Sequence, residues 1–507
     1  MRDFKKTLLE EAEKLIRRFE NYARQLSDES ARRSRRTTSE VKPLLVKRPD
    51  YWKLAPGFNP YLVKAGASAI NHSIQKKVAA RTYAPFAPFQ HFVPKAGGGQ
   101  REVCVFQVAD SAVSRVIYDS LMQKNRARMS SRAYAYRDDV NGQDAIQYIA
   151  AELKDRSRVF VAEYDFSKYF DNISHEYLQK ILRDRQFLVT PPEKSIVDAF
   201  LRTRPIPNAG YEQVNTLTRE RGIPQGTSIS LFLANVAAWE LDRSLEGLGV
   251  SFVRYADDTL IWSSDYSQLC RAVEELHGIA SRIESPINFQ KSGGISLLVP
   301  KDAPAEFSKK LPFVEYLGHR ISASAVGIKS KVVERIKDKI TKLLYFNLIR
   351  EPKAGTQNPN RLASTDKDYV TYVWQLRRYL YGDISERRLR RFRAKGIPRR
   401  RFRGVMSFFP LIDDNEQLET LDGWLVSTTW MALQKRSELL ARCGHVNLPD
   451  PHGLSCNELA GFIRKSHTTG GSLDLRLPSF RRIAEVIRRA ANQYGTGIVS
   501  RSSQYEY

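Results

Sequence analysis

The chain has 507 residues, 81 Lys and Arg against 56 Asp and Glu, a formal net charge of +25 and 42% hydrophobic residues. That length supports two or three domains with a sizeable core, and that composition excludes a chain disordered throughout. No run of about 18 apolar residues occurs, so no spanning helix is expected; the excess positive charge calls for a polyanion, with an anionic membrane surface as the alternative acceptor.

Residues 1–6 lack the apolar core of a signal peptide. Cys104, Cys270, Cys443 and Cys456 are scattered without C-x-x-C spacing, so reduced thiols and a cytoplasmic location are the expectation. His445 and His452 lie near Cys443 and Cys456, but the spacing fits no common zinc pattern.

Phe4, Leu8, Leu9, Ala12, Leu15, Ile16, Phe19, Tyr22 and Leu26 recur at helical spacing and predict an amphipathic helix over about residues 1–30. Its apolar stripe docks on the body of the protein or on another copy, which leaves homo-oligomerisation open. The Arg- and Ser-rich residues 30–38 read as a mobile linker able to touch phosphate. Residues 65–82 read as a helix. Lys95 and Arg101 flank Ala96-Gly97-Gly98-Gly99, a turn signal between two apolar segments. Two cations on one hairpin can reach a triphosphate, Arg by bidentate contact and Lys as a point charge.

Residues 159–165 form a mostly apolar run that ends at Asp165 and turns. Further on, Pro224 and Gly226 fix a tight turn that lets a nucleic acid approach, with an apolar helix-like stretch over 231–239 as core behind it. Phe252-Val253-Arg254-Tyr255 and Thr259-Leu260-Ile261-Trp262 then bracket Asp257-Asp258, which reads as a hairpin with two carboxylates at its tip. Adjacent carboxylates repel unless a cation sits beside them, and Mg²⁺ is the usual hard divalent partner for oxygen ligands. With Asp165 meeting them in space, three carboxylates could hold two Mg²⁺ ions, Mn²⁺ being a substitute. Such a pair can activate a 3′-hydroxyl and stabilise leaving pyrophosphate. Taken singly, an Asp-Asp pair in a solvated turn and a strand ending in Asp are ordinary turn chemistry.

These residues carry a family resemblance. Tyr255-Ala256-Asp257-Asp258 resembles the Y-x-D-D motif of reverse transcriptases, and residues 165–173 resemble the family's first catalytic motif, an Asp followed by an aromatic-rich turn. Gly222-Ile223-Pro224-Gln225-Gly226 with Ser230 resembles the G-x-P-Q-G-x-x-x-S block. Phe92-Val93-Pro94-Lys95 with Gln100-Arg101 resembles the fingers hairpin. Asn288-Phe289-Gln290-Lys291-Ser292 and Tyr316-Leu317-Gly318-His319 resemble two later palm motifs. The resemblance covers about residues 65–330, in the family's order.

It implies an α+β right-hand polymerase fold, with fingers and an RRM-like palm on an antiparallel sheet over residues 65–328. A helical basic N-terminal extension over 1–64, a thumb-like basic helical region over 329–410 and a helical C-terminal region with a flexible tail over 411–507 complete the expected plan. The implied activity is RNA-directed DNA polymerisation. Asp165 and Asp257 would be the principal metal ligands, Asp258 a secondary one, and the backbone carbonyl of Phe166 would complete the shell. Lys95 and Arg101 would reach the triphosphate. Phe170, under the 2′ position, would exclude a 2′-hydroxyl and so select dNTPs. Gln225 and Gly226 would lie against the template and incoming base. Lys291 would either donate a proton to pyrophosphate or screen phosphate.

Beyond residue 330 the resemblance fades. Residues 329–349 read as a basic amphipathic helix and 369–381 as another. Arg387, Arg388, Arg390, Arg391, Arg399, Arg400 and Arg401 form the densest basic cluster, and the interleaved Leu389, Phe392 and Phe402 argue for an ordered RNA-contacting element. There is no internal repeat, nuclease signature or ribonuclease H carboxylate set. In plan the chain is most similar to the bacterial defence-associated reverse transcriptases of the formerly unknown groups. That resemblance implies an RNA template, commonly a noncoding RNA, a DNA product and a role in anti-phage immunity. Some such enzymes prime on a protein hydroxyl, which makes Tyr505 and Tyr507 of the polar tail candidate primers beside the reading of an inert tail. Two rival readings are a catalytically silent RNA-binding scaffold and a template-independent DNA-tailing enzyme.

Overall fold

A computed structural model of the protein describes residues 4–94, 98–185, 187–207, 211, 218–300, 302–304, 307–465 and 472–498. The chain opens on α1 (Phe4–Arg36), whose Phe4, Leu8, Ala12 and Ile16 recur every four residues and are buried. Phe4, Leu8 and Ala12 join a large core with α2 (Pro60–Ala65), α3 (Ala67–Ala79) and α4 (Val108–Asn125). Between α3 and α4 lies the hairpin β1 (Phe89–Pro94) and β2 (Gln100–Val105). Helix α5 (Gly142–Leu153) starts at a capping box formed by Asn141 and Asp144.

Strand β3 (Val159–Asp165) leads into the short α6 (Tyr169–Asn172), then α7 (His175–Asp184), α8 (Pro191–Leu201), α9 (Ser228–Ala237) and α10 (Trp239–Gly247). The hairpin β4 (Ser251–Tyr255) and β5 (Asp258–Ser263) follows, then α11 (Tyr266–Ile283), β6 (Gly294–Leu298) and β7 (Lys310–Leu311). These strands form one sheet in the order β4-β5-β3-β6-β7, antiparallel except for the parallel β6–β7 edge pair. The period-two alternation of β3 and β5 splits their side chains between two cores. Ala162, Tyr164 and Ile261 face the helical core. Val159, Val161, Leu260 and Trp262 face α5 and a small sheet of β8 (Val314–Tyr316), β9 (His319–Ile321) and β10 (Val326–Ile328).

The rest of the described chain builds a third core from Ile328 to Ile498. It contains α12 (Ser330–Leu344), a π-helical turn (Tyr345–Ile349), α13 (Arg350–Lys353), α14 (Lys367–Tyr381), α15 (Glu386–Lys395), α16 (Asn415–Arg442), α17 (Cys456–Gly461) and α18 (Phe480–Tyr494). Residues on both sides of position 410 share this core, for example Leu380, Phe392, Leu425 and Ile487. The region is not all helical: β11 (Ile463–Lys465) pairs with β12 (Ser472–Asp474). At its centre the fully buried Arg436 is held by Asp366 at 2.7 Å and Asp368 at 3.0 Å. His452 bonds Asp366 and Ser437, and Cys443 meets the Pro352 carbonyl, so these residues are engaged elsewhere than in a zinc site.

One expectation is overturned. Residues 30–36 are not a mobile linker: α1 continues through them, and the Arg36 side chain is buried, donating to Asn347 Oδ1 at 3.2 Å and to Glu29 Oε1 at 3.0 Å. The backbone beyond is pinned too, Asn358 N to Arg36 O at 2.9 Å and Thr38 N to Thr356 O at 2.8 Å. A buried guanidinium with partners outweighs the polar composition that read as a linker. Helix α1 therefore ties the N-terminal core to the C-terminal one. No helix among the described residues is long and apolar enough to cross a membrane. The whole is an α+β fold.

Candidate active site

The site is built where β3 and the β4–β5 hairpin end together. Asp165 is the last residue of β3 and Asp258 the first of β5, and the two are direct partners in the ladder. Between β4 and β5 only Ala256 and Asp257 make the turn, with Tyr255 opposite Asp258. Ala256 takes φ +63°, the sign a two-residue hairpin turn asks of its first central residue and one that usually selects glycine. The turn is held from below. Arg254, fully buried, makes a bidentate pair with Asp242 at 2.6 Å and donates from Nη1 to the Ala256 carbonyl at 2.9 Å and to Asn235 Oδ1 at 3.3 Å.

The carboxyls of Asp165 and Asp257 meet closely enough to share a hydrogen bond, and burial together with Asp165 pushes Asp257 up to about 6. Asp258 is raised well above the usual carboxylate range by burial, then by Glu163, Asp257 and Asp165. Lys291 forms an ion pair with Asp165, which holds the lysine above its usual value. The segment carrying Lys291 is anchored to β3 itself: Asn288 N donates to Asp165 O at 2.8 Å, and Asp165 N donates to Ser292 Oγ at 3.2 Å.

Arg101 on β2 acts on Asp257 electrostatically, lowering it. Lys95 lies outside the described residues. The β1–β2 hairpin is fixed by Gly226, where φ is +122° and an added Cβ would sit 2.3 Å from the Cys104 carbonyl oxygen. Cys104 N in turn donates to Gln225 O at 2.7 Å, and Gln225 Nε2 to Asp171 Oδ1 at 3.2 Å. Gly222 approaches residues 170–171 just as closely, with Ile223 N donating to Phe170 O at 2.7 Å. The Phe170 backbone is thereby held, and its ring is half-buried, edge-on to Tyr169 at 5.9 Å and to Tyr136 at 6.4 Å. Tyr316 Oη donates to the Asp258 carbonyl at 2.9 Å. His319, buried against Phe409, is depressed to about 4 and so neutral at pH 7.

The donor set is oxygen only: the acids and the Phe166 carbonyl, which follows Asp165 directly. In kind that suits a hard divalent cation, and the crowding that raises Asp257 and Asp258 is what such a cation relieves. Among the described residues, no group of three or more His, Cys, Asp and Glu side chains is gathered as a metal cage. Asp165 and Asp257 converge, whereas Asp258 has Glu163 as its strongest acidic neighbour.

A family described as "Reverse transcriptase (RNA-dependent DNA polymerase)" matches residues 93–321, which span every residue of this site. The chain carries a reverse-transcriptase-like domain. Its general class of activity is accordingly polymerase-like. Over 197 residues the chain is 26% identical to Protein YkfC of Escherichia coli (strain K12), covering 37% of this chain and 49% of that protein. Over 161 residues it is 30% identical to a COX1/OXI3 intron 1 protein of Saccharomyces cerevisiae, covering 30% of this chain and 18% of that protein. The chain thus spans at most about half the length of these curated relatives. An apo telomerase of Candida tropicalis, truncated from the C-terminal domain, overlays 52% of this chain and 60% of its own at TM-score 0.37 and 11% identity. Telomerase of Candida albicans with a TWJ fragment of telomeric RNA overlays 80% and 67% at TM-score 0.36 and 13% identity.

The basic cluster lies apart from the reverse-transcriptase-like domain, on α15 and the loop after it. Arg387, Arg388, Arg391, Arg399 and Arg401 are exposed with no ion-pair partner among the described residues. Arg390 pairs with Asp474 and Arg400 with Asp383, the latter over the Phe392 and Phe402 rings. Leu389, Phe392 and Phe402 are core. Tyr505 and Tyr507 lie outside the described residues. Sequence reasoning assigned no role to Tyr136, Asn235, Asp242 or Arg254. The available signal was Arg254 itself, a lone cation inside an apolar strand, which asks for a buried counter-ion.

Proposed function

We propose that the chain is an RNA-directed DNA polymerase that adds dNTPs to a growing strand. The observation that carries this reading is the meeting of Asp165, at the end of β3, with Asp257, in the β4–β5 turn, with Arg101 on the β1–β2 hairpin acting on Asp257. In this reading the sheet is the palm and the hairpin belongs to the fingers. Asp165, Asp257 and the Phe166 carbonyl would hold two Mg²⁺ ions, with Asp258 behind them; when bound, the ions activate the 3′-hydroxyl and neutralise charge on the pyrophosphate. Arg101 and Lys95 orient the triphosphate, Phe170 closes the space a 2′-hydroxyl would need, and Gln225 with Gly226 supports the base pair. Lys291, paired with Asp165, is placed to exchange that carboxylate for phosphate oxygen as nucleotide enters. The exposed arginines of α15 and its loop suit a polyanion backbone, here the RNA template or its hybrid.

Mg²⁺-dependent dNTP incorporation by wild type against Asp257→Asn tests the reading. Equal traces would favour a silent scaffold, and a product without complementarity to the bound RNA would favour DNA tailing. The plan of the chain, a motif-bearing centre between helical flanks, supports a noncoding RNA template and a role in anti-phage defence. Plaque counts on cells carrying the wild type or Asp257→Asn, with sequencing of copurified RNA and DNA, test that role.

Protein priming stands in this proposal beside the reading of an inert tail, and its support is the packing around Thr496. Thr496 bonds Asn141 Nδ2 at 3.3 Å and also Asp144, at the start of α5. That helix start lies against Tyr255 and Leu317: an added Cβ on Gly142 would be 3.5 Å from the Tyr255 ring. Tyr505 and Tyr507 follow Thr496 by 9 and 11 residues, a reach of at most about 30–40 Å. The tyrosine hydroxyl would lose its proton and attack the α-phosphate of a first dNTP, forming a tyrosyl–nucleotide phosphodiester and releasing pyrophosphate; extension from that nucleotide would leave DNA on the protein. Mass spectrometry of peptides after nuclease digestion tests this; an adduct elsewhere, or none, rules out the tail.

A further inference from the structure

Tyr136 stands in the loop between α4 and α5 with φ +61°. That conformation is rare and costly for an aromatic residue and persists only where surrounding contacts impose it. Here they do. Tyr118 Oη donates to the Tyr136 carbonyl at 2.5 Å, and Asn235 Nδ2 donates to the Ala135 carbonyl at 3.0 Å. Arg137 Nη1 donates to Ser130 O at 2.5 Å and Ala133 O at 3.3 Å, and Tyr134 N donates to Arg254 O at 2.9 Å. The loop therefore hangs on the same buried Arg254–Asn235 pair that holds the Ala256-Asp257 turn. A displacement of either is felt by the other.

What this holds in place is a ring and a hydroxyl. The ring meets Phe170 edge-to-face, 6.4 Å between centroids at 82°. The hydroxyl makes no hydrogen bond to a described residue. It lies in the field of Asp257, Tyr255 and Arg101, burial and Asp257 raising it. Tyr136 also lines a cavity of 940 Å³ with Tyr118, Tyr134 and Tyr255. A hydroxyl with no hydrogen-bond partner among the described residues, in the field of a carboxylate and an arginine, is an open position for a ligand's oxygen.

We propose that Tyr136 is a nucleotide-contacting, sugar-selecting residue: its ring backs Phe170 against the sugar, and its hydroxyl hydrogen-bonds the incoming 2′-deoxynucleoside triphosphate between Asp257 and Arg101. This rests on the polymerase reading and adds a residue to it. Arg254 and Asn235 act as positioning residues for Tyr136 and Asp257 together.

The test compares Tyr136→Phe and Tyr136→Ala with wild type. Two readouts are used: steady-state incorporation of dNTP and rNTP on an RNA template, and equilibrium binding of a fluorescent dNTP without turnover. Tyr136→Phe, which keeps the ring, weakens dNTP binding and raises KM by up to about tenfold, more than it lowers kcat. Tyr136→Ala adds a rise of about tenfold in the rNTP-to-dNTP ratio, because Phe170 loses its backing. Wild-type binding and KM in Tyr136→Phe overturn the hydroxyl contact; an unchanged ratio in Tyr136→Ala overturns the selecting role. If the wild type incorporates nothing, the polymerase reading fails, and the binding comparison still decides for or against Tyr136.

Discussion

Asp165 and Asp258 face each other across the β3–β5 ladder, in register, where both strands reach the site. Strand alternation puts Glu163, two residues before Asp165, on the same face, so Asp258 lies among three other carboxylates. Asp257, one residue earlier and in the turn, escapes the ladder and meets Asp165.

That asymmetry separates the two acids. Burial, Glu163, Asp257 and Asp165 all raise Asp258 above the usual carboxylate range, and amide replacement is nearly isosteric for it. Asp258→Asn should lower nucleotide incorporation by less than about tenfold, while Asp257→Asn should lower it by about 10²- to 10³-fold. Single-nucleotide incorporation with both variants checks the order; equal losses would place Asp258 on the reacting atoms.

Asp110 gives a pH-dependent stability. Burial raises its carboxyl from 3.8 to about 7, although Tyr83 Oη at 2.7 Å and Phe86 N at 3.1 Å bond it. An acid whose folded pKa is raised binds its proton more tightly when folded. Its contribution is greatest below about pH 4 and declines as pH rises to about 7. Relative to Asp110→Asn, wild type should lose stability across that window, on the order of 4 kcal/mol in total. Denaturant titrations of both proteins from pH 4 to 8 read the difference, and a flat difference would contradict it.

Arg388 and Arg391 are exposed on α15 without ion-pair partners among the described residues, whereas Arg400 is tied to Asp383 at 2.7 Å. Replacing Arg388 or Arg391 by Ala should weaken RNA binding and reduce the slope of log K against log salt by about 0.7–0.9 per residue. Arg400→Ala should leave the slope nearly unchanged. Filter binding across a salt series distinguishes them.

Arg436 is fully buried between Asp366 and Asp368. Arg436→Met strands two buried carboxylates and should cost about 3–5 kcal/mol. A thermal melt shifted only as far as by a surface substitution would show that the acids find other partners.

The motif residues were legible because their chemistry is local. A short break between two apolar strands puts Asp257 at a turn, and Gly222 and Gly226 occupy positions where an added Cβ would strike the backbone of another segment. The same local reading misjudged residues 30–36, whose arginines look like linker until Asn347, 311 residues after Arg36, supplies a buried acceptor. Composition cannot show a partner that distant. Nor could it show that Arg254 would reach Asp242 and Asn235, or that Tyr136 would be bent toward Phe170 by Tyr118.

The order and kind of the acids, the hairpin that carries them and the cationic balance are written in the sequence, since period-two alternation, turn residues and net charge act between neighbours or add up over the chain. The meeting of Asp165 with Asp257, the joining of two cores by α1 and the setting of the Tyr136 ring against Phe170 were decided only by tertiary structure. They depend on burying charged and polar groups whose partners lie far along the chain, and the cost of leaving such groups unpaired selects the one arrangement in which the partners coincide.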